Sequence, residues 1–136
     1  MSKIDEVVAA FPPNERRMAR LIHEHIEEVY GEFMEEYNPA TRQGIAYQRK
    51  GRTGFFAKLD IHNMCLKLSY CKNNFERDGQ KFGHIIQDQM IQKGVARHRS
   101  PSSMARYNRE AWIDLEKVRR LDEIIDFIEE AFVKRP

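Results

Sequence analysis

No stretch of the chain approaches the ~18–20 consecutive apolar residues that a membrane-spanning helix needs. The opening residues, Met1-Ser2-Lys3-Ile4-Asp5, hold no apolar core of the length a secretory leader requires. Tryptophan occurs once and cysteine twice. Cys65 and Cys71 fall six residues apart in what reads as one strand, a span of about 20 Å at ~3.3 Å per residue. A disulfide needs Cα atoms within roughly 7 Å, so the two cannot pair along that strand, and a shared metal is excluded by the same distance. Free thiols fit a reducing compartment. The signatures of common catalysis are also missing: there is no Gly-x-Ser-x-Gly, P-loop, His-Glu-x-x-His or Cys-x-x-Cys. The expectation is a cytoplasmic protein with no membrane partner, no cofactor, no metal and no enzymatic activity.

What the chain has is charge sorted by position. Residues 1–38 hold nine acids and four bases, a net −5. Residues 39–109 hold fourteen Lys or Arg against four acids, a net +10, and residues 110–136 return to −3 with eight acids and five bases. The overall +2 therefore hides a strongly cationic middle, and a cationic face implies anionic partners.

Length suits one α+β domain over 1–136, with N-terminal helices in 1–38, a sheet with an irregular middle in 44–115, and a C-terminal helix over 116–134. Ser2 and Asp5 resemble a capping box, Pro12-Pro13 closes a first helix, and Asn14 caps a second. The second helix carries a stripe of Met18, Leu21, Ile22, His25, Ile26, Val29 and Phe33, with Gly31 as a potential interruption and Asn38-Pro39 as its close. Strands are expected at Ile45–Arg49, Gly54–Ile61 and Met64–Cys71, joined through Lys50-Gly51-Arg52 and a His62-Asn63 turn. Met64, Leu66, Leu68 and Tyr70 alternate with Cys65, Lys67, Ser69 and Cys71, the pattern of a half-buried antiparallel strand that turns Lys67, and Lys58 on its neighbour, outward. Asn73-Asn74 and Asp78-Gly79 read as turns, His84–Gln92 as a short helix, Gly94–His98 as a further strand, 97–109 as a loop and Glu110–Leu115 as the last strand. Val118, Leu121, Ile125, Ile128 and Phe132 then set the stripe of the closing helix. The fold expected is a small, mostly antiparallel sheet packed on one face by the N-terminal and C-terminal helices.

The order Ile45-Ala46-Tyr47-Gln48-Arg49, Phe55 to Ile61, Cys65 to Tyr70, Trp112-Ile113-Asp114-Leu115 and Ile125 to Phe132 resembles a small bacterial and archaeal domain family sometimes labelled "predicted transport protein". Its members also occur at the C-terminus of restriction-associated proteins. The resemblance covers about two-thirds of the chain; the basic 97–109 segment is longer than the family's, and Cys65 and Cys71 are not part of its pattern. It implies the same fold and a loose association with nucleic-acid defence, and it implies no catalytic residues.

The residues themselves point to phosphate chemistry. Arg97, Arg99, Arg106 and Arg109 stand with His98, Tyr107 and three serines, and Arg42, Arg49, Lys50 and Arg52 flank the first hairpin. Guanidinium forks match phosphate oxygens, serine hydroxyls bond them, and tyrosine or Trp112 offers a stacking surface for a base. The opposing reading is a solvated loop whose arginines pair with the protein's own acids, and a Trp112 packed as core. His23-Glu24-His25 does not make a metal site, because residues two apart on a helix diverge; a surface His23–Glu27 pair is the simpler reading. Asp60 with Lys58 and Lys67 faintly suggests acid–lysine nuclease chemistry, but no acid stands two residues before Lys58. Two functions follow. One is a nucleic-acid or polyanion binding module using the basic loop and hairpin edge. The other is an interaction domain, a homodimer included, in which acidic helices meet a basic surface.

Overall fold

A computed structural model describes residues 3–35, 44–52, 54–70, 76–77 and 80–134. The capping box at Ser2, the Asn38-Pro39 close, Arg42, Cys71 and the Asn73-Asn74 and Asp78-Gly79 turns lie outside the described residues. The chain is α+β: helices α1 (Lys3–Ala9), α2 (Pro13–Tyr30), α3 (Phe82–Lys93), α4 (Pro101–Arg106) and α5 (Ile125–Lys134) accompany strands β1 (Gly44–Tyr47), β2 (Ala57–Asp60), β3 (Cys65–Ser69), β4 (Glu76–Arg77), β5 (Gln80–Lys81) and β6 (Glu110–Asp114). The main sheet has the order β1-β2-β3-β6, antiparallel throughout, and β4-β5 is a separate short ladder.

Period-two alternation decides the faces. In register, Ile45, Leu59, Leu66 and Ile113 form one cross-strand row and Tyr47, Ala57, Leu68 and Ala111 the next. All eight are fully buried. Helices α2 and α5 cover this face: Tyr47 Oη lies 2.7 Å from His23 Nδ1 of α2, and Tyr70 Oη donates to the Phe127 carbonyl of α5 at 3.4 Å. Each large side chain buried in that layer contributes roughly 1.5–3 kcal/mol. Gly44 is required where β1 meets β2, since with φ +147° an added Cβ would lie 1.6 Å from the Leu59 carbonyl oxygen.

Strand β6 is an edge, and α3 seals it. The Gln87 side chain, 1% exposed, accepts from the Trp112 amide at 2.7 Å and donates to the Trp112 carbonyl at 3.2 Å, so one amide replaces a neighbouring strand. Gly83 lets α3 come this close: a Cβ there would meet the Asn108 carbonyl oxygen at 2.4 Å.

Several expectations shift. Helix α2 begins at Pro13, whose fixed φ suits a first helical position, and not behind an Asn14 cap. Its buried stripe ends in Tyr30, which stacks on Phe132 with centroids 4.3 Å apart; Val29 and Phe33 are 45% and 52% exposed. Gly31 does end the helix, leading into a 3₁₀ turn at Gly31–Phe33. Gly94–His98 is not a strand, and the 97–109 segment is not wholly a loop, because Ser100 caps α4 by accepting from the Ser103 amide at 3.2 Å. The closing helix starts at Ile125 and not at 116. Before it the chain makes 3₁₀ turns at Leu115–Lys117 and Leu121–Glu123, held where Glu123 accepts from the Arg119 and Arg120 amides at 2.7 and 2.9 Å. Those two bonds hold the Glu123 carboxyl below its ordinary value.

Candidate polyanion interface

The face of the sheet turned away from α2 and α5 carries the chemistry. Its rows run Asp60, Cys65, Asp114 and then Lys58, Lys67, Trp112. Two lysines directly opposite would repel. Asp60 offsets this: its carboxylate, itself buried, lies 3.0 Å from Lys67 Nζ and also accepts from the His62 amide and, at 2.7 Å, from Asn63 Nδ2. The Asp60 bonds shape the β2–β3 turn, in which Met64, with φ 49°, holds the left-handed position. Lys67 Nζ also sits 4.3 Å from the Trp112 ring centroid.

Segment 97–107 forms the wall above this floor, and the basic residues there divide into two groups. Arg99 is consumed by structure: it donates to the carbonyls of Glu110 (2.8 Å), Ser103 (3.1 Å) and Tyr107 (3.4 Å) and to Ser103 Oγ (3.0 Å), with its guanidinium 4.1 Å from the Trp112 centroid. Burial lowers its pKa from the ordinary arginine value. Arg97 is neutralised by Asp114 and Glu116. Arg106 and Arg109 are exposed and form no ion pair among the described residues; Arg106 stands 5.4 Å from the Tyr107 ring centroid. His84 Nε2, 2.8 Å from the Met104 carbonyl oxygen, ties α4 to α3.

Between floor and wall lies a cleft of about 580 Å³, lined among others by Lys67, Trp112, Ser102, Ser103, Arg106 and Tyr107. A second cleft of about 400 Å³ shares Arg106 and Tyr107 and continues to Arg109 and to Gly54 and Phe55 of the β1–β2 connection. Both volumes fall in the range typical of ligand sites. The structure thus brings Arg106, Tyr107, Arg109 and the later half of the hairpin connection to one end of the sheet. Arg49 goes elsewhere, donating to the Phe132 carbonyl at 2.9 Å near the C-terminus of α5, where a cation complements the helix dipole. Lys50 and Arg52 remain exposed at the hairpin tip and without ion pairs among the described residues. Trp112 is on the outward face, half-buried, with its ring attended by Lys67 and Arg99.

No group of three or more His, Cys, Asp or Glu among the described residues is placed to hold a metal ion. His23 is buried, and its Nε2 lies 3.0 Å from Glu27. The Cys65 thiol is pushed up to about 12, first by burial and then by Asp60, so it stays protonated near neutrality. Sequence reasoning did not single out Gln87 or Glu15. A buried glutamine on a weakly patterned helix, and a glutamate in a first helical turn, look ordinary in a sequence. Comparison with protein-family models, with curated proteins and with solved structures gave no match. No helix among the described residues is long and apolar enough to cross a membrane.

Proposed function

We propose that the protein is a non-enzymatic binding module for a polyanion, with single-stranded nucleic acid as the foremost candidate, along the two joined clefts. The observation that carries this reading is the pair Arg106 and Arg109: exposed, unpaired among the described residues, and flanking half-buried Tyr107 where the clefts meet. Guanidinium groups hold phosphates there and Ser102 and Ser103 add hydroxyl donors, while Lys50 and Arg52, exposed at the hairpin tip, line neither cleft and would add contacts only to a ligand long enough to run past it. Arg97, Arg99 and Arg49 serve the fold instead. The resemblance to a family whose members also occur at the C-terminus of restriction-associated proteins is in keeping with this reading.

About four phosphate contacts predict a salt slope near −0.7 per contact for a single strand, or roughly 50-fold weaker binding between about 50 and 200 mM salt. Anisotropy titrations with labelled DNA and RNA oligonucleotides read this directly. Absence of binding at the lower salt, or binding indifferent to salt, would overturn the proposal. A second reading rests on Glu24 and Glu28, exposed on α2 without ion pairs among the described residues. They suit a homodimer in which α2 of one copy meets the basic end of another. Light scattering at low and high salt tests it, and a monomer in both conditions excludes it.

A further inference from the structure

Glu15, in the first turn of α2, is 6% exposed, and its Oε2 is buried with no hydrogen-bond donor. It lines the larger cleft with Asn63, Met64 and Cys65. An unanswered carboxylate oxygen in a buried position is costly, and the positive end of α2 offsets only part of that cost. The neighbouring cations are committed elsewhere: Lys67 to Asp60, Arg97 to Asp114 and Glu116, Arg99 to backbone carbonyls. The cleft is therefore bipolar, with an exposed cation at Arg106 and, in its wall, the buried and unpartnered carboxylate oxygen of Glu15.

A ligand matched to both poles has a phosphate and, away from it, N–H donors. Among nucleobases, guanine sets two donors side by side, N1–H and the N2 amino group, which match the two oxygens of a carboxylate. Adenine and cytosine place a ring-nitrogen acceptor beside their amino group, and uracil flanks its single N–H with carbonyl oxygens; a carboxylate repels each of these acceptors. We infer that the larger cleft seats a guanine base, of a free nucleotide or of a single strand, which donates its N1–H and N2–H to Glu15 while its phosphate is held at Arg106. This rests on the polyanion reading above and adds base selectivity to it.

Trp112 is the only tryptophan and lines the cleft, so its fluorescence reports occupancy. The full chain is titrated with GMP, AMP, CMP and UMP and with short homo-oligonucleotides at low salt. GMP or guanine-bearing strands should bind about tenfold or more tighter than their adenine counterparts, the size expected for hydrogen bonds to a charged group. Glu15→Gln, whose amide offers a donor and an acceptor suited to adenine, should erase that preference and raise relative AMP binding. Its thermal midpoint should hold or rise, because an orphaned charge is removed. Selectivity seen only in oligonucleotides assigns the site to nucleic acid. Selectivity for GMP with oligonucleotides rejected supports the guanine site and overturns the polyanion reading. Oligonucleotides bound without base preference overturn the guanine site and leave the polyanion reading intact. Failure of every probe overturns both.

Discussion

On the inner face of the sheet Ile45, Leu59, Leu66 and Ile113 lie in one cross-strand row without a polar side-chain atom, whereas the neighbouring outer row runs Gly44, Asp60, Cys65 and Asp114. One face is made by exclusion of water and tolerates no substitution that leaves a void. The other is made by pairing, and its stability depends on which partner each charge finds. The 97–109 segment repeats the contrast on a smaller scale: Arg97 and Arg99 are spent on the protein itself, while Arg106 and Arg109 are not. Position in a basic cluster therefore says little about role; the local acceptors decide it.

Truncation on the inner face should do the most damage. Leu66→Ala is expected to cost about 2–5 kcal/mol, read from urea unfolding, because the packed row cannot collapse around the void. Next comes the edge seal. Gln87→Ala strands the amide and carbonyl of Trp112 and should cost about 1–3 kcal/mol, with faster hydrogen exchange at Trp112. Arg99→Ala belongs to the same range, since it takes away the donor at the Glu110 carbonyl and the second donors at the Ser103 and Tyr107 carbonyls, which keep the Tyr107 and Glu110 amides; an unchanged midpoint would put Arg99 in the ligand-binding class after all. Arg106→Ala with Arg109→Ala should leave stability within about 0.5 kcal/mol while weakening oligonucleotide binding and reducing its salt slope.

The smallest effect concerns acid. Burial holds the His23 imidazole below its ordinary value of 6.5, against the opposing pull of Glu27. Protons then bind the unfolded chain more readily, so the stability tied to neutral His23 is complete above about pH 6.5 and is lost as the pH falls through the depressed folded value. His25 shifts in the same direction, also through burial. His23→Gln should flatten part of the fall in urea midpoint between about pH 7.5 and 5; an equal fall in the variant would remove His23 as a contributor.

Alternation made most of the sheet legible. Leu66, Leu68 and Tyr70 against Cys65, Lys67 and Ser69 sorts the two faces, although β3 is not half-buried as expected, because Cys65 and Ser69 are buried too and only Lys67 is partly exposed; Ala111, Ile113 and Leu115 against half-buried Trp112 does the same for β6. Helix ends were less legible, because they depend on side chains reaching particular amides: Glu123 holds the 119–120 turn and delays α5, and Ser100 starts α4 within a segment that composition marks as loop. The basic segments were visible as charge, but the sorting of spent from free arginines was not. Nothing in the spacing of Arg97 and Arg99 reveals that Asp114 and the Glu110 carbonyl wait beside them. Glu15 was invisible for the same reason, since its isolation exists only once the cleft closes around it.

The Gln87 clip also bears on how this protein fails. With the amide of α3 occupying the hydrogen-bonding sites of Trp112, a second chain cannot lengthen the sheet at β6 until α3 peels away. Strand addition, the usual first step toward fibrils, is thereby coupled at this border to the loss of a helix. A Gly83→Ala change would wedge that helix outward, and such a variant should aggregate by templated pairing well before its core melts.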